Sequence, residues 1–70
     1  MNAEDIDEWL DSWIEDNYER FEDPNQAVSL CLKDASATGI AEADVVDAAG
    51  GDLAAHLIAE SMAIAEARED

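Results

Sequence analysis

The sequence predicts an all-α fold: one compact domain over residues 1–70, built as a small bundle of three main helices and one short helix. Three observations carry this. Apolar residues recur at steps of three and four. Turn signals are few, at Asp23-Pro24, Gly39 and Gly50-Gly51, and the segments between them have helical lengths. Alanine, the best helix former, is abundant in the C-terminal third. Seventy residues give a thin core, worth only about 3–5 kcal/mol net, so association with a second copy or a partner is expected.

The first helix is expected over about residues 3–21, with Ile6, Trp9, Leu10, Trp13, Ile14, Tyr18 and Phe21 as its apolar residues. Asn2 can cap it, and Glu4 and Asp5 suit the positive end of the helix dipole. Trp9 falls at one margin of the apolar arc and Tyr18 at the other. Ten of the first twenty-three residues are carboxylates. Glu4, Glu8, Asp11, Glu15, Glu19 and Glu22 form one stripe at steps of three and four. Five like-charge pairs at a spacing of four (4/8, 7/11, 11/15, 15/19 and 19/23) oppose the isolated helix, by roughly 0.2–0.5 kcal/mol each. Asp16 with Arg20 offers one compensating pair, so packing of the aromatic face must outweigh the repulsion.

Asp23-Pro24-Asn25-Gln26 ends this helix and begins a second, over 24–37: Asp23 fits the N-cap, Pro24 the first helical position and Gln26 the reciprocal capping-box position. The second helix presents Ala27 or Val28, then Cys31, Leu32 and Ala35, with Leu30 extending the face. Gly39 fits a left-handed C-terminal residue, with Ile40 packing back in a Schellman motif. A short third helix over 41–49 contributes Ile40, Val45, Val46 and Ala49, and Gly50-Gly51 ends it. Asp52 can cap a fourth helix over 52–67, which carries Leu53, Leu57, Ile58, Met62 and Ile64 among six alanines. That helix is apolar almost all round. One side is expected in the core and the other is a candidate homodimer surface, although exposed alanine is also well tolerated.

A formal charge of −16, with only Arg20, Lys33 and Arg68 as cations, argues against direct binding to nucleic acid, where basic residues replace counterions. It argues equally against an anionic membrane surface. It favours a basic protein partner, or serves solubility alone; a carboxylate-rich chain with a single lysine is also a salt-adapted composition. The N-terminal segment has no apolar signal-peptide core, no apolar run approaches the roughly 20 residues of a membrane span, and a cytoplasmic protein is expected.

No residue set makes an active site, and no cofactor is implied. Asp52, His56 and Glu60 share one face of the fourth helix and suit zinc, iron or manganese by ligand type. A metal site would need convergence from a second element, and an exposed polar row is the simpler expectation. Cys31 has apolar neighbours and suits a buried structural thiol. Ser12, Ser29, Ser36 and Ser61 lack an elbow or a base. Gly50-Gly51 lacks the lysine of a phosphate loop, and Asp44, Asp47 and Asp52 lack the spacing of a calcium loop. Trp9 and Trp13 are core anchors in the simpler view. In the sharper one, a tryptophan ringed by charge is an interface hot spot, and Trp9, at the arc margin, is the better placed.

Three stretches carry a family resemblance: Trp9-Leu10-Asp11-Ser12-Trp13-Ile14-Glu15-Asp16-Asn17, Asp34-Ala35-Ser36-Ala37-Thr38-Gly39-Ile40, and Asp44 to Gly50 leading into Leu53. Together they resemble a family of small alphaproteobacterial, largely rhizobial, proteins known only as a domain of unknown function. The resemblance implies a small helical domain and no activity; the greater acidity of the first helix departs from it. In size and character the chain is also similar to acidic nucleic-acid mimics of phages and mobile elements, including inhibitors of CRISPR effectors. That likeness implies an inhibitor whose carboxylates, about 5–6 Å apart at one-turn spacing, stand in for phosphates. Glu4, Glu8, Asp11, Glu15, Glu19 and Glu22 would supply charge, and Trp9 or Trp13 an apolar anchor, to a basic nucleic-acid-binding protein.

Overall fold

The computed structural model describes residues 2–68, and all of its regular structure is helical: α1 (Ala3–Asn17), a turn of 3-10 helix (Tyr18–Arg20), α2 (Pro24–Thr38), α3 (Glu42–Ala48) and α4 (Leu53–Ala67). α3 and α4 each pack against both α1 and α2. The core gathers Ile6, Leu10, Trp13 and Ile14 from α1, Ala27, Cys31 and Ala35 from α2, Val45 from α3, Leu53 and Leu57 from α4, and Ile40 from the α2–α3 link. The buried face of α2 is made of small side chains at a spacing of four, which lets α4 lie close against it.

α1 stops four residues short of the extent expected from its apolar pattern. Asn17 leaves the helical region at φ −122°, ψ −7°, and Phe21 is extended at φ −75°, ψ 117°. The cause is tertiary. Eight residues of continuous helix would carry Phe21 about 12 Å along the axis from Trp13; the break instead brings the two rings to 5.5 Å, stacked at 27°. Asn17 supports the break by donating its side-chain amide to the Trp13 carbonyl at 2.8 Å. Arg20, expected to pair with Asp16, donates instead to the Asn17 side-chain oxygen at 2.8 Å. Two of the five like-charge pairs, 15/19 and 19/23, therefore fall outside α1. The repulsion borne by the helix drops to roughly 0.6–1.5 kcal/mol for the three that remain.

The link into α2 is tied by one side chain. Asp23 accepts from the Gln26 backbone N–H at 2.7 Å, but Gln26 reaches one residue further back than a capping box requires. Its Oε1 accepts from Glu22 N–H at 2.9 Å, and its Nε2 donates to the Arg20 carbonyl at 3.1 Å. Gly39 (φ +95°) lets the α2 terminus close with Ile40 N–H on the Ala35 carbonyl at 2.8 Å, burying Ile40. Gly50 (φ +83°) repeats the device after α3, with the Gly51 N–H on the Val46 carbonyl at 2.9 Å. Asn2 caps α1 through the Asp5 N–H, and Asp52 caps α4 through the Ala55 N–H.

Trp13 is 7% exposed and stacks on Trp9 (ring centroids 6.3 Å apart, 25° between planes) as well as on Phe21. Its indole N–H donates to Asp34 Oδ2 at 2.6 Å, bridging α1 to α2. Replacing Trp13 with alanine removes packing worth about 3–5 kcal/mol, which is comparable to the whole net stability of a domain this size; circular dichroism should find the variant largely unfolded at 25 °C. Asp34→Ala leaves the indole N–H without its acceptor and should cost about 1–3 kcal/mol in urea titrations. A variant as stable as the parent would show that the bridge contributes nothing.

Candidate acidic interface

Glu4, Glu8, Asp11 and Glu15 are exposed on the outer side of α1. Glu19 and Glu22 are also exposed, but they lie in the 3-10 turn and the link beyond it. The expected stripe through Glu22 is therefore not one helical row. The straight row runs from Glu4 to Glu15, about 16 Å, and ends where the helix is broken to return Phe21 to the core.

The acidic surface instead widens sideways. A cleft of about 290 Å³ between the start of α1 and α3 is lined by Asp7, Asp44 and Asp47 together with Ala3, Ile6 and Ala48. A second groove, between α1 and α4, is lined by Asp11, Glu15 and Glu60 with Ile14 and Ile64. One edge of α1 thus meets carboxylates from α3 along its first half and from α4 along its second. These residues are 37 or more positions apart in the chain, and no local pattern announces their meeting. The cations sit elsewhere: Arg20 on Asn17, Arg68 over the Tyr18 ring at 5.5 Å with its Nη1 3.4 Å from the Tyr18 hydroxyl, and Lys33 exposed on α2.

The two tryptophans separate in role. Trp13 is buried with its N–H engaged, so it is not available as a partner anchor. Trp9 is half-buried and keeps surface. At 100° per residue, its neighbours on the outer side of α1 are Asp5 and Asp16, and the centre of the Glu4–Glu15 row lies more than a quarter turn away. A partner touching both must wrap around α1.

Asp52, His56 and Glu60 do not form a site. Asp52 caps α4, and Glu60 turns toward the α1 groove. His56 is not part of an exposed polar row; it is half-buried, and its Nε2 is enclosed without a hydrogen-bond partner. Among the described residues, no group of three or more His, Cys, Asp or Glu side chains is arranged to hold a metal ion, and no helix is long and apolar enough to cross a membrane.

Cys31 is buried in the core, and its thiol is pushed up to about 11, first by desolvation and then by the Asp34 carboxylate. A thiol held protonated at neutral pH is a poor nucleophile. Because the folded value lies above the unfolded one, this group favours folding below pH 9 and loses that contribution as pH rises toward 11. The urea midpoint of the native chain should therefore fall between pH 8.5 and 11 more than that of Cys31→Ala. Equal falls would place the thiol in an ordinary environment. At pH 8 the thiol should react with a disulfide reagent at least about 100-fold more slowly than in urea.

In comparison with known proteins, the chain matches no family model, no curated protein and no solved structure.

Proposed function

We propose that this protein is a non-enzymatic interaction module that presents an acidic surface to a basic surface on another protein. One observation supports the reading above others: exposed carboxylates of α1 are joined across two grooves by Asp44, Asp47 and Glu60, and no cation lines either groove. A rigid field of one sign steers an oppositely charged partner and fixes its orientation more than it adds raw affinity.

The most concrete form is an inhibitor that occupies a basic nucleic-acid channel in place of the nucleic acid. Glu4, Glu8, Asp11 and Glu15 supply the repeating charge, and Glu19 and Glu22 extend it past the helix end. Trp9 offers the apolar anchor, flanked on its outer side by Asp5 and Asp16. No reaction is part of this function, and it requires no cofactor or metal.

Competition with a DNA duplex for a panel of basic DNA- and RNA-binding proteins tests the reading. Binding should weaken at least about 100-fold between 50 and 200 mM salt, as expected where several charges are neutralised. Replacing Glu8, Asp11, Glu15 and Glu19 with their amides should abolish it while raising thermal stability slightly, because α1 loses like-charge pairs. Trp9→Ala should weaken binding about tenfold or more with far less loss of stability than Trp13→Ala. Binding that survives the fourfold amide variant would reject the acidic surface as the recognition element.

A further inference from the structure

Two seams of the bundle close like charge on like charge. Along the first half of α1, Asp7 shares a cleft with Asp44 and Asp47 of α3. Along the second half, Asp11 and Glu15 share a groove with Glu60 of α4. No cation lines either seam. These carboxylates differ in effect from the repeating ones within α1. Neighbours such as Glu4 and Glu8, four positions apart in the chain, stay close when the helix melts, so much of their repulsion is common to the folded and unfolded states. Asp7 and Asp44 are 37 positions apart, and Asp11 and Glu60 are 49. They meet only when the bundle closes, so repulsion across the seams falls almost wholly on the folded state.

Little apolar contact opposes that repulsion. α3 is seven residues long, too short to be stable alone, and it buries one side chain in the core, Val45. It has no side-chain cap at its start: Ala41 stands where Asn2, Asp23 and Asp52 cap the other three α-helices. α4 is apolar on nearly every side, yet it buries only Leu53 and Leu57 fully, and Met62 is 65% exposed. We infer that closure of this bundle is gated by ionic strength through the two seams. At low salt α3 lifts from α1 first, and screening of the seams closes it again.

The seams are open to mobile ions. Asp7, Asp11, Glu15, Asp44 and Asp47 are exposed, and Glu60 is half-buried. In 0.01 M salt the Debye length is about 30 Å, longer than either short dimension of the bundle, 22 and 20 Å. Every carboxylate of a chain with formal charge −16 then acts on every other. At about 10 Å in 0.1 M salt the repulsion is confined to neighbours across a seam, and at about 3 Å in 1 M it is largely suppressed there too. The device needs no bound ion, so it follows ionic strength and not the identity of the cation. Salt closes the bundle but weakens binding of a basic partner. The opposite signs separate the two effects, and this inference does not depend on the function proposed above.

Thermal unfolding of the full chain at pH 7, from about 10 mM to 0.5 M NaCl, tests it. The midpoint should rise by at least about 10 °C. It should rise equally in KCl, and in sodium sulfate matched for ionic strength below about 0.2 M, where exclusion of sulfate from the surface adds little. Amide hydrogen exchange should show α3 gaining at least about tenfold in protection over that range, more than α1 or α2 gains. Asp44→Asn with Asp47→Asn removes the α3 side of the first seam. The two lie at opposite ends of α3, so their effects on its dipole offset. This pair should raise the midpoint at 10 mM NaCl by at least about 5 °C and reduce its further rise with salt. Glu19→Gln with Glu22→Gln removes the same charge at exposed positions outside both seams and should do less than half as much. A midpoint flat in salt overturns the inference, and so does a response confined to one cation, protection of α3 that rises no more than that of α1 and α2, or equal effects of the two paired variants.

Discussion

The position of Trp13 decides most of this fold. Its ring lies between those of Trp9 and Phe21, and its N–H reaches across to Asp34, so one side chain joins α1, the link and α2. The same side chain accounts for the end of α1. A longer helix would satisfy four more backbone hydrogen bonds locally but would carry Phe21 out of reach, and burial of an aromatic ring outweighs those bonds. Gln26 then serves a geometry set elsewhere: its side chain ties Glu22 and Arg20 of the short link to the start of α2, with Phe21 between them on the tryptophan.

Electrostatics and packing are partly reconciled by that break. Uninterrupted to residue 21, the first helix would hold its carboxylates in one long row of repelling neighbours. Ending it at Asn17 frees Glu19 and Glu22 from helical spacing, and the remaining charge spreads laterally over the edges shared with α3 and α4. The acidic character is then a property of the assembled surface and not of one helix.

The chain's punctuation was legible in its sequence. Asp23-Pro24, Gly39 and Gly50-Gly51 each dictate a local backbone conformation that few alternatives satisfy, so the helix starts and stops near them follow from chemistry within a few residues. The end of α1 was not legible, because Asn17 is an ordinary helix residue until the Trp13–Phe21 stack is known. The outward turn of Met62 was equally hidden: α4 is apolar on nearly every side, and such a pattern cannot say which side the bundle uses. His56 is the same problem inverted. A polar residue four positions from Asp52 and Glu60 suggested an exposed row, yet α4's rotation encloses its Nε2. For the candidate interface, sequence periodicity located the α1 carboxylates, while their neighbours on α3 and α4 depend on packing between segments far apart in the chain.

The Trp9–Trp13 stack has an optical consequence. Two indoles 6.3 Å apart and nearly parallel couple their electronic transitions, so they contribute an exciton signal in the far ultraviolet on top of the peptide bands. A helix fraction read from circular dichroism alone would be biased by that pair, and the bias would vanish when either ring is replaced. The half-buried outer ring also shares its excitation with the enclosed one. The acidic helix thus carries a built-in reporter in which an event at its surface is seen through the emission of its core.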